Sequence, residues 1–203
     1  MKSIIALLVS LLLLTACGEQ LTPEQSEYLK QIEQHRKEQN EYMRDNPNSP
    51  FNYKSKVEFH SLNYFDVNYD MVFQSKLYEY DSKDTVTIYG TKGEPRIAWR
   101  FGYFELMHEN NTYELKVYGN VSKNKNIYYS IWFTDKTTNN ESYGVGRYLN
   151  FSKVDDPNHI YTIDFNLAFN PYCAYSKEYS CAIPTKEDYI DMAINAGEKK
   201  FHD

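Results

Sequence analysis

Tyr113-Glu114-Leu115-Lys116-Val117-Tyr118 is the stretch that decides the fold. Tyr113, Leu115 and Val117 alternate with Glu114, Lys116 and Tyr118, the period of two that a strand shows when one face meets a core. The pattern repeats on both sides of this stretch. Upstream, Arg96 to Leu106 places Ile97, Trp99, Phe101, Tyr103 and Glu105 on one side, and Glu109-Asn110-Asn111 supplies a turn. Earlier strand-like runs are Val57 to His60, Tyr69 to Tyr80 and Thr85 to Tyr89, the last closed by Gly90 and the Lys92-Gly93 turn. Downstream, Lys123-Asn124-Lys125-Asn126 leads into Ile127 to Phe133, then Tyr143 to Phe151 and His159 to Asp164. Short strands separated by polar turns predict a mainly β domain, an antiparallel sandwich or barrel, with its β core over 57–164.

A helix is expected at each end of a single domain spanning 22–203. Thr22-Pro23-Glu24-Gln25 is a strong start: Thr22 as N-cap, Pro23 at the first helical position, Gln25 completing a capping box. This helix should run over 22–45, up to the Asn46-Pro47 break. Its apolar positions, Tyr28, Leu29, Ile32, Tyr42 and Met43, form a broken stripe, which predicts surface packing or a partial stalk. At the other end, Pro184, a Thr185 cap and Asp188 precede Tyr189, Met192, Ala193 and Ala196, with Gly197 to stop it. That pattern predicts a C-terminal helix over 185–197.

The first residues carry an address. Lys2, an apolar run from Ile4 to Leu14, and small residues before Cys17 have the layout of a secretory signal. Leu14-Thr15-Ala16-Cys17 resembles the lipobox of bacterial lipoproteins. That resemblance implies removal of 1–16, lipid on Cys17 and a tether over 17–21. A spanning helix needs about 20 apolar residues, so this run is too short for one. Acyl chains on one cysteine give firm attachment, at about 0.8 kcal/mol per buried methylene. Gly18 in place of Asp after the cysteine favours the outer membrane by resemblance to enterobacterial sorting. The expected location is the cell envelope, facing the periplasm or the exterior.

The chain has 203 residues and a formal net charge of −6. A mildly acidic chain without a basic block is a poor nucleic-acid ligand, so no nucleic-acid partner is expected, and the lipid provides the membrane contact. Tyrosine and phenylalanine are abundant, 20 and 11 residues. They could form a sugar-stacking surface, but their spread through the strand-like runs favours β-propensity as the reason. With Cys17 lipidated, Cys173 and Cys181 remain as a pair in an oxidising compartment, which predicts a disulfide pinning the loop 165–184. C-x7-C is not a zinc spacing, and the five histidines show no ligand spacing, so neither metal nor cofactor is implied.

Two segments concentrate polar chemistry: Phe133 to Leu149 (FTDKTTNNESYGVGRYL) and Ile163 to Cys181 (IDFNLAFNPYCAYSKEYSC). They resemble the signature stretches of the domain-of-unknown-function family 1684. The first carries Phe133, Asp135, Thr137, Glu141, Tyr143, Gly144, Gly146, Arg147, Tyr148 and Leu149 of that pattern. The second carries Asp164, Phe165, Asn166, Ala168, Asn170, Pro171, Cys173, Ala174, Tyr175 and Cys181, followed by Pro184 and the terminal Ala196-Gly197-Glu198-Lys199. Thr138, Asn139, Ser142 and Phe169 depart from it conservatively. The resemblance implies a shared fold and site geometry, and no reaction.

Within these segments the candidate ligand-binding residues are Arg147, Tyr148, Asp164, Asn166 and Asn170. Arg147 could clamp an anion bidentately, or be a buried partner of Asp164 or Glu141. Asn166 and Asn170 could orient a polar ligand or serve turn chemistry. The leading expectation is a binding module for a small polar ligand, anionic or a sugar, in an aromatic-rimmed concavity. A metal-independent hydrolase using Asp164 or Glu141 is the alternative, and it requires two carboxylates with separated acidities. A structural, envelope-assembly lipoprotein working through an exposed apolar patch is the third.

Overall fold

The computed structural model describes residues 21–54 and 56–202. The signal segment, Cys17 and most of the tether lie outside the described residues.

Helix α1 (Pro23–Asp45) starts where its capping signals place it. Thr22 Oγ1 accepts from Gln25 N at 3.2 Å, and Thr22 N donates to Gln25 Oε1 at 3.0 Å. Only Ile32 and Met43 of the helix are buried, as its broken stripe suggests. Polar contacts complete its docking: Tyr69 Oη donates to Gln25 O at 3.0 Å, and Leu62 N donates to Asn40 Oδ1 at 2.8 Å. The helix is therefore packed on the domain and is not a stalk. Among the described residues no helix is long and apolar enough to cross a membrane.

The body is one eight-stranded sheet curled into a half-barrel. The strands are β1 (Val72–Glu79), β2 (Thr85–Tyr89), β3 (Pro95–His108), β4 (Asn111–Val121), β5 (Ile127–Asp135), β6 (Arg147–Leu149), β7 (Ile160–Asp164) and β8 (Tyr189–Ile190). The order is β6-β5-β4-β3-β1-β7, so β6 and β7 are its two edges. All these pairings are antiparallel, as is β2 on β3; only β8 runs parallel, beside β5. The first half of β3 pairs with β2 and the second half with β1, and a bulge between Arg100 and Gly102 marks the change of partner. Gly102 is required there, because a Cβ would lie 2.4 Å from Tyr78 O. The Val57–His60 run makes no strand.

Both faces of the sheet are covered. The concave face holds the main core, with Phe104, Leu106, Leu115, Val117, Ile131, Phe133 and Phe165 among its most buried members. The alternation of β5 separates the layers: Ile131 and Phe133 point inward, whereas Trp132 joins Ile88, Ala98, Tyr118 and Ala182 in a smaller cluster outside. A third cluster, around Met43, Phe51, Leu62, Tyr175 and Phe201, secures α1 and the chain terminus.

The expected C-terminal helix does not form. Its N-terminal signal is read only locally: Thr185 and Asp188 make a capping box, but the turn ends after Lys186–Asp188. Tyr189 and Ile190 then pair with Thr134 and Asp135 as β8, and the chain continues as irregular backbone through Ile194 and Ala196, both fully buried. A helix would use its own carbonyls internally. Here the carbonyls of Ile194 and Ala196 accept from Arg147 instead. Gly197 sits at φ +75°, as a cap would, but it serves close packing: a Cβ there would lie 2.5 Å from Ala168 O.

Candidate functional site

Arg147 is the organising residue of the signature, and it is inside the protein. It is 1% exposed and stands in β6 opposite Phe133. Nη2 donates to Asp135 Oδ2 at 2.9 Å and to Ile194 O at 2.8 Å; Nη1 donates to Ala196 O and, at 3.3 Å, to Glu198 O. Burial pulls its pKa below the usual guanidinium range, against the opposing pull of Asp135. Its partner is thus Asp135, where Asp164 or Glu141 was expected. Glu141 is exposed in a turn, and its carbonyl accepts from Lys200 N at 3.0 Å.

Asp164 and Asn166 form a second closed set. Asp164 Oδ2 accepts from Tyr28 Oη at 2.7 Å, while Oδ1 accepts from Asn166 N at 2.9 Å and from Asn166 Nδ2 at 3.0 Å. Asn166 also spans the backbone of Asn68, accepting from its N–H and donating to its carbonyl, both at 2.8 Å. These bonds lock α1, the segment before β1 and the end of β7 together. Asn170 is buried as well; its N–H donates to Glu198 Oε2 at 2.8 Å and its Nδ2 to Lys199 O at 2.7 Å.

The five residues do not share one concavity. Asp164 and Asn166 line a cavity of about 400 Å³ beneath α1, between the end of β6 and the outer edge of β7. Tyr148 lines a separate groove of about 710 Å³ on the outer face of the sheet. Arg147 and Asn170 line neither.

The cavity has two characters. Its floor is the open side of the half-barrel, with Ile131, Leu149, Phe151, Tyr161 and Ile163. Its polar wall comes from His35 and Gln39 of α1, with Tyr64, Asp164 and Glu198. Glu198 was present in the signature but carried no assigned role. It is 2% exposed, and burial pushes its carboxyl up to about 7, although Oε2 accepts from Asn170 N and from Tyr175 Oη. The Tyr64 hydroxyl beside it is buried without a partner, and the Arg36 guanidinium lies 4.6 Å over the Tyr64 ring. Sequence spacing could not group these residues, because the cavity draws them from α1, the segment before β1, β7 and the last turn of chain.

The loop 165–184 is pinned, but not by a disulfide: Cys173 and Cys181 are both free thiols. They are adjacent, with Cys173 N–H donating to Cys181 Sγ at 3.1 Å. A hydrogen bond between the thiols lowers the pKa of Cys173 and raises that of Cys181. The β2–β3 turn does the pinning. Thr91 N donates to Cys181 O at 2.9 Å, Ser180 Oγ to Glu94 Oε2 at 2.9 Å, and Arg96 Nη2 to Ser180 O at 2.6 Å. Among the described residues no group of three His, Cys, Asp or Glu side chains is placed to hold a metal ion.

Comparison with known proteins agrees with this architecture. The solution NMR structure of an uncharacterised protein from gene locus rrnAC0354 of Haloarcula marismortui superposes with a TM-score of 0.61 at 22% identity, over 87% of this chain and 96% of that one. At that identity the likeness is one of fold. Among curated proteins none shows significant similarity to this sequence. A family model described as "Protein of unknown function (DUF1684)" matches residues 57–199, which takes in the sheet, both signature segments and the Arg147-bound terminus; the chain belongs to the DUF1684 family.

Proposed function

We propose that this chain is a lipid-anchored binding module of the bacterial envelope, and that its small polar ligand sits in the cavity beneath α1. One observation carries the reading: an apolar floor and two carboxyl groups, Asp164 and Glu198, line one cavity of about 400 Å³. Such a combination of apolar wall and a few fixed polar groups is the usual make-up of ligand sites, within their range of about 300–1,000 Å³. The lining contains neither Lys nor Arg. An anion is therefore disfavoured, and a ligand with an apolar body and an ammonium or amide head fits better. The lipobox at Cys17 supports the anchor, with Gly18 favouring the outer membrane.

Phenethylammonium, with one apolar ring and one cationic head, is a suitable probe in isothermal calorimetry. Saturable binding that weakens at least about tenfold in Asp164→Asn is expected, the equivalent of about 1.4 kcal/mol. If the probe and its neutral analogue phenethyl alcohol both produce no heat, the cavity is not the ligand site. A second reading has its own observation. Asp164 and Glu198 supply the two carboxyls in unlike surroundings that a metal-independent hydrolase needs, with Glu198 in the place first considered for Glu141. Turnover of nitrophenyl esters or glycosides, lost in Glu198→Gln, would favour it.

A further inference from the structure

We propose that the groove on the outer face of the sheet is a second binding site, for a neutral oligosaccharide, read chiefly by Trp132, Tyr128 and Asn120. This site is independent of the cavity beneath α1.

The groove follows from strand alternation. Even-numbered residues of β5 face outward, so Tyr128, Ser130 and Trp132 line up across from Asn120 and Tyr118 of β4, with Tyr148 of β6 beyond. The loop around Tyr172 and Tyr179–Ala182 makes the opposite wall. This leaves a tyrosine-lined trough of about 710 Å³ where the outer cluster ends.

Trp132 is the observation that points to a ligand. It is 4% exposed, and its ring stacks on Tyr118 at 4.7 Å and 17°. Its indole N–H is buried without an acceptor, although the residue lines the groove. A buried donor left unpaired costs about 1–3 kcal/mol, so native proteins rarely retain one without a use. A hydroxyl delivered along the groove would satisfy it. Tyr128, by contrast, is 49% exposed and in register with Asn120. Its ring offers a free aromatic face for the C–H surface of a pyranose, beside the amide that Asn120 holds against Ser130 Oγ at 3.1 Å.

Charge selects the class of ligand. The guanidinium of Arg96 is already taken by Glu94 at 2.6 Å and by Ser180 O at 2.6 Å. The remaining lining cation is Lys123 at the turn between β4 and β5. Lys123 is exposed, so an anion would meet one solvent-screened charge, whereas a hydroxyl-rich neutral chain finds amide, hydroxyl and indole groups between aromatic walls. The abundant tyrosines therefore do more than fill strands here.

Cellohexaose, maltohexaose and chitohexaose are the probes, titrated against the soluble protein with tryptophan fluorescence and calorimetry. At least one should bind saturably. Trp132→Phe keeps an aromatic ring on Tyr118 but deletes the donor, and should weaken binding about tenfold. Tyr128→Ala, at an exposed position that leaves folding intact, should weaken it at least as much. The proposal is overturned if none of the three saccharides binds at millimolar concentration, or if the Tyr128→Ala protein binds as tightly as wild type. Either result leaves the cavity beneath α1 unaffected, because the two sites share only the back-to-back residues Phe169 and Tyr172.

Discussion

Replacing Arg147 by Met tests whether the signature arginine is a ligand clamp or a fastener. The substitution keeps much of the apolar volume but removes the charge. It leaves the Asp135 carboxylate, 1% exposed, without its partner, and strips donors from the carbonyls of Ile194 and Ala196. Removing one member of a buried pair costs about 3–5 kcal/mol. Each carbonyl adds up to about 1 kcal/mol, less where water enters. These effects share one cluster and will not sum fully, so the expected loss is about 4–6 kcal/mol. That is a large part of a domain stability of about 5–15 kcal/mol. At roughly 2–4 °C per kcal/mol for a chain this long, the melting temperature should fall by about 8 °C or more. Urea denaturation followed by circular dichroism gives the free energy directly. Adding Asp135→Asn should recover about 2 kcal/mol, because the second change removes the stranded charge while Oδ1 can still accept from Thr137 N at 2.7 Å. An Arg147→Met protein within about 1 kcal/mol of wild type, or a double variant no better than the single, would refute the fastener role.

Glu198 makes stability depend on pH. Its carboxyl sits at about 7 in the folded chain against 4.5 ordinarily, so between those values the unfolded chain releases a proton that the folded one keeps. Stability from this group is therefore complete below about pH 4.5 and declines up to about pH 7, by roughly 3 kcal/mol at about 1.4 kcal/mol per pH unit. Thermal melts of wild type and Glu198→Gln across that range should show the slope only in wild type; parallel curves would contradict it. Tyr28→Phe removes the hydroxyl bonded to Asp164 and to Asn166. It should cost about 1–3 kcal/mol, and amide exchange in α1 should rise ahead of exchange in the sheet; unchanged α1 protection would show that apolar contacts alone dock the helix. Cys173, lowered by the Cys181 thiol, should alkylate with iodoacetamide well before Cys181, and equal rates would remove that ordering. Membrane-fraction protein should begin at a lipid-modified Cys17, and Cys17→Ala should move it to the soluble fraction.

The strands were legible because their information is local. Thr85–Tyr89 forms within its expected bounds, and β3, β4 and β5 extend beyond theirs by at most three residues at either end. Alternation in these runs reports which face meets the core, and the turns between them carry their own polar residues. The start of α1 was equally local, a matter of four residues. The C-terminal segment was not. Thr185 and Asp188 make their capping box, yet Asp188 Oδ1 also accepts from Tyr118 Oη at 2.6 Å, and β5 offers an edge to Tyr189 and Ile190. Tertiary partners outbid a helical pattern of four residues, and nothing in the pattern itself names them.

The site was harder to read for a related reason. Arg, Asp and Asn side chains in a dense motif look the same whether they await a ligand or hold the chain. What separates the two cases is burial and the count of satisfied bonds, and both depend on residues far away in sequence. Arg147 meets Ile194, 47 residues on; Asn166 meets Tyr28, 138 residues back. Among the described residues, the unsatisfied groups on residues that line an open space are the Tyr64 hydroxyl and the Trp132 indole; Nε of Arg147, Oδ1 of Asn170 and two Arg36 nitrogens also lack a partner but line neither space. A motif whose polar groups bond mostly to one another and to distant backbone defines the frame. The capacity to bind then belongs to the donors and acceptors that the frame leaves unpaired, and in this fold those stand on the cavity wall and in the outer groove, beside the signature and not within its arginine.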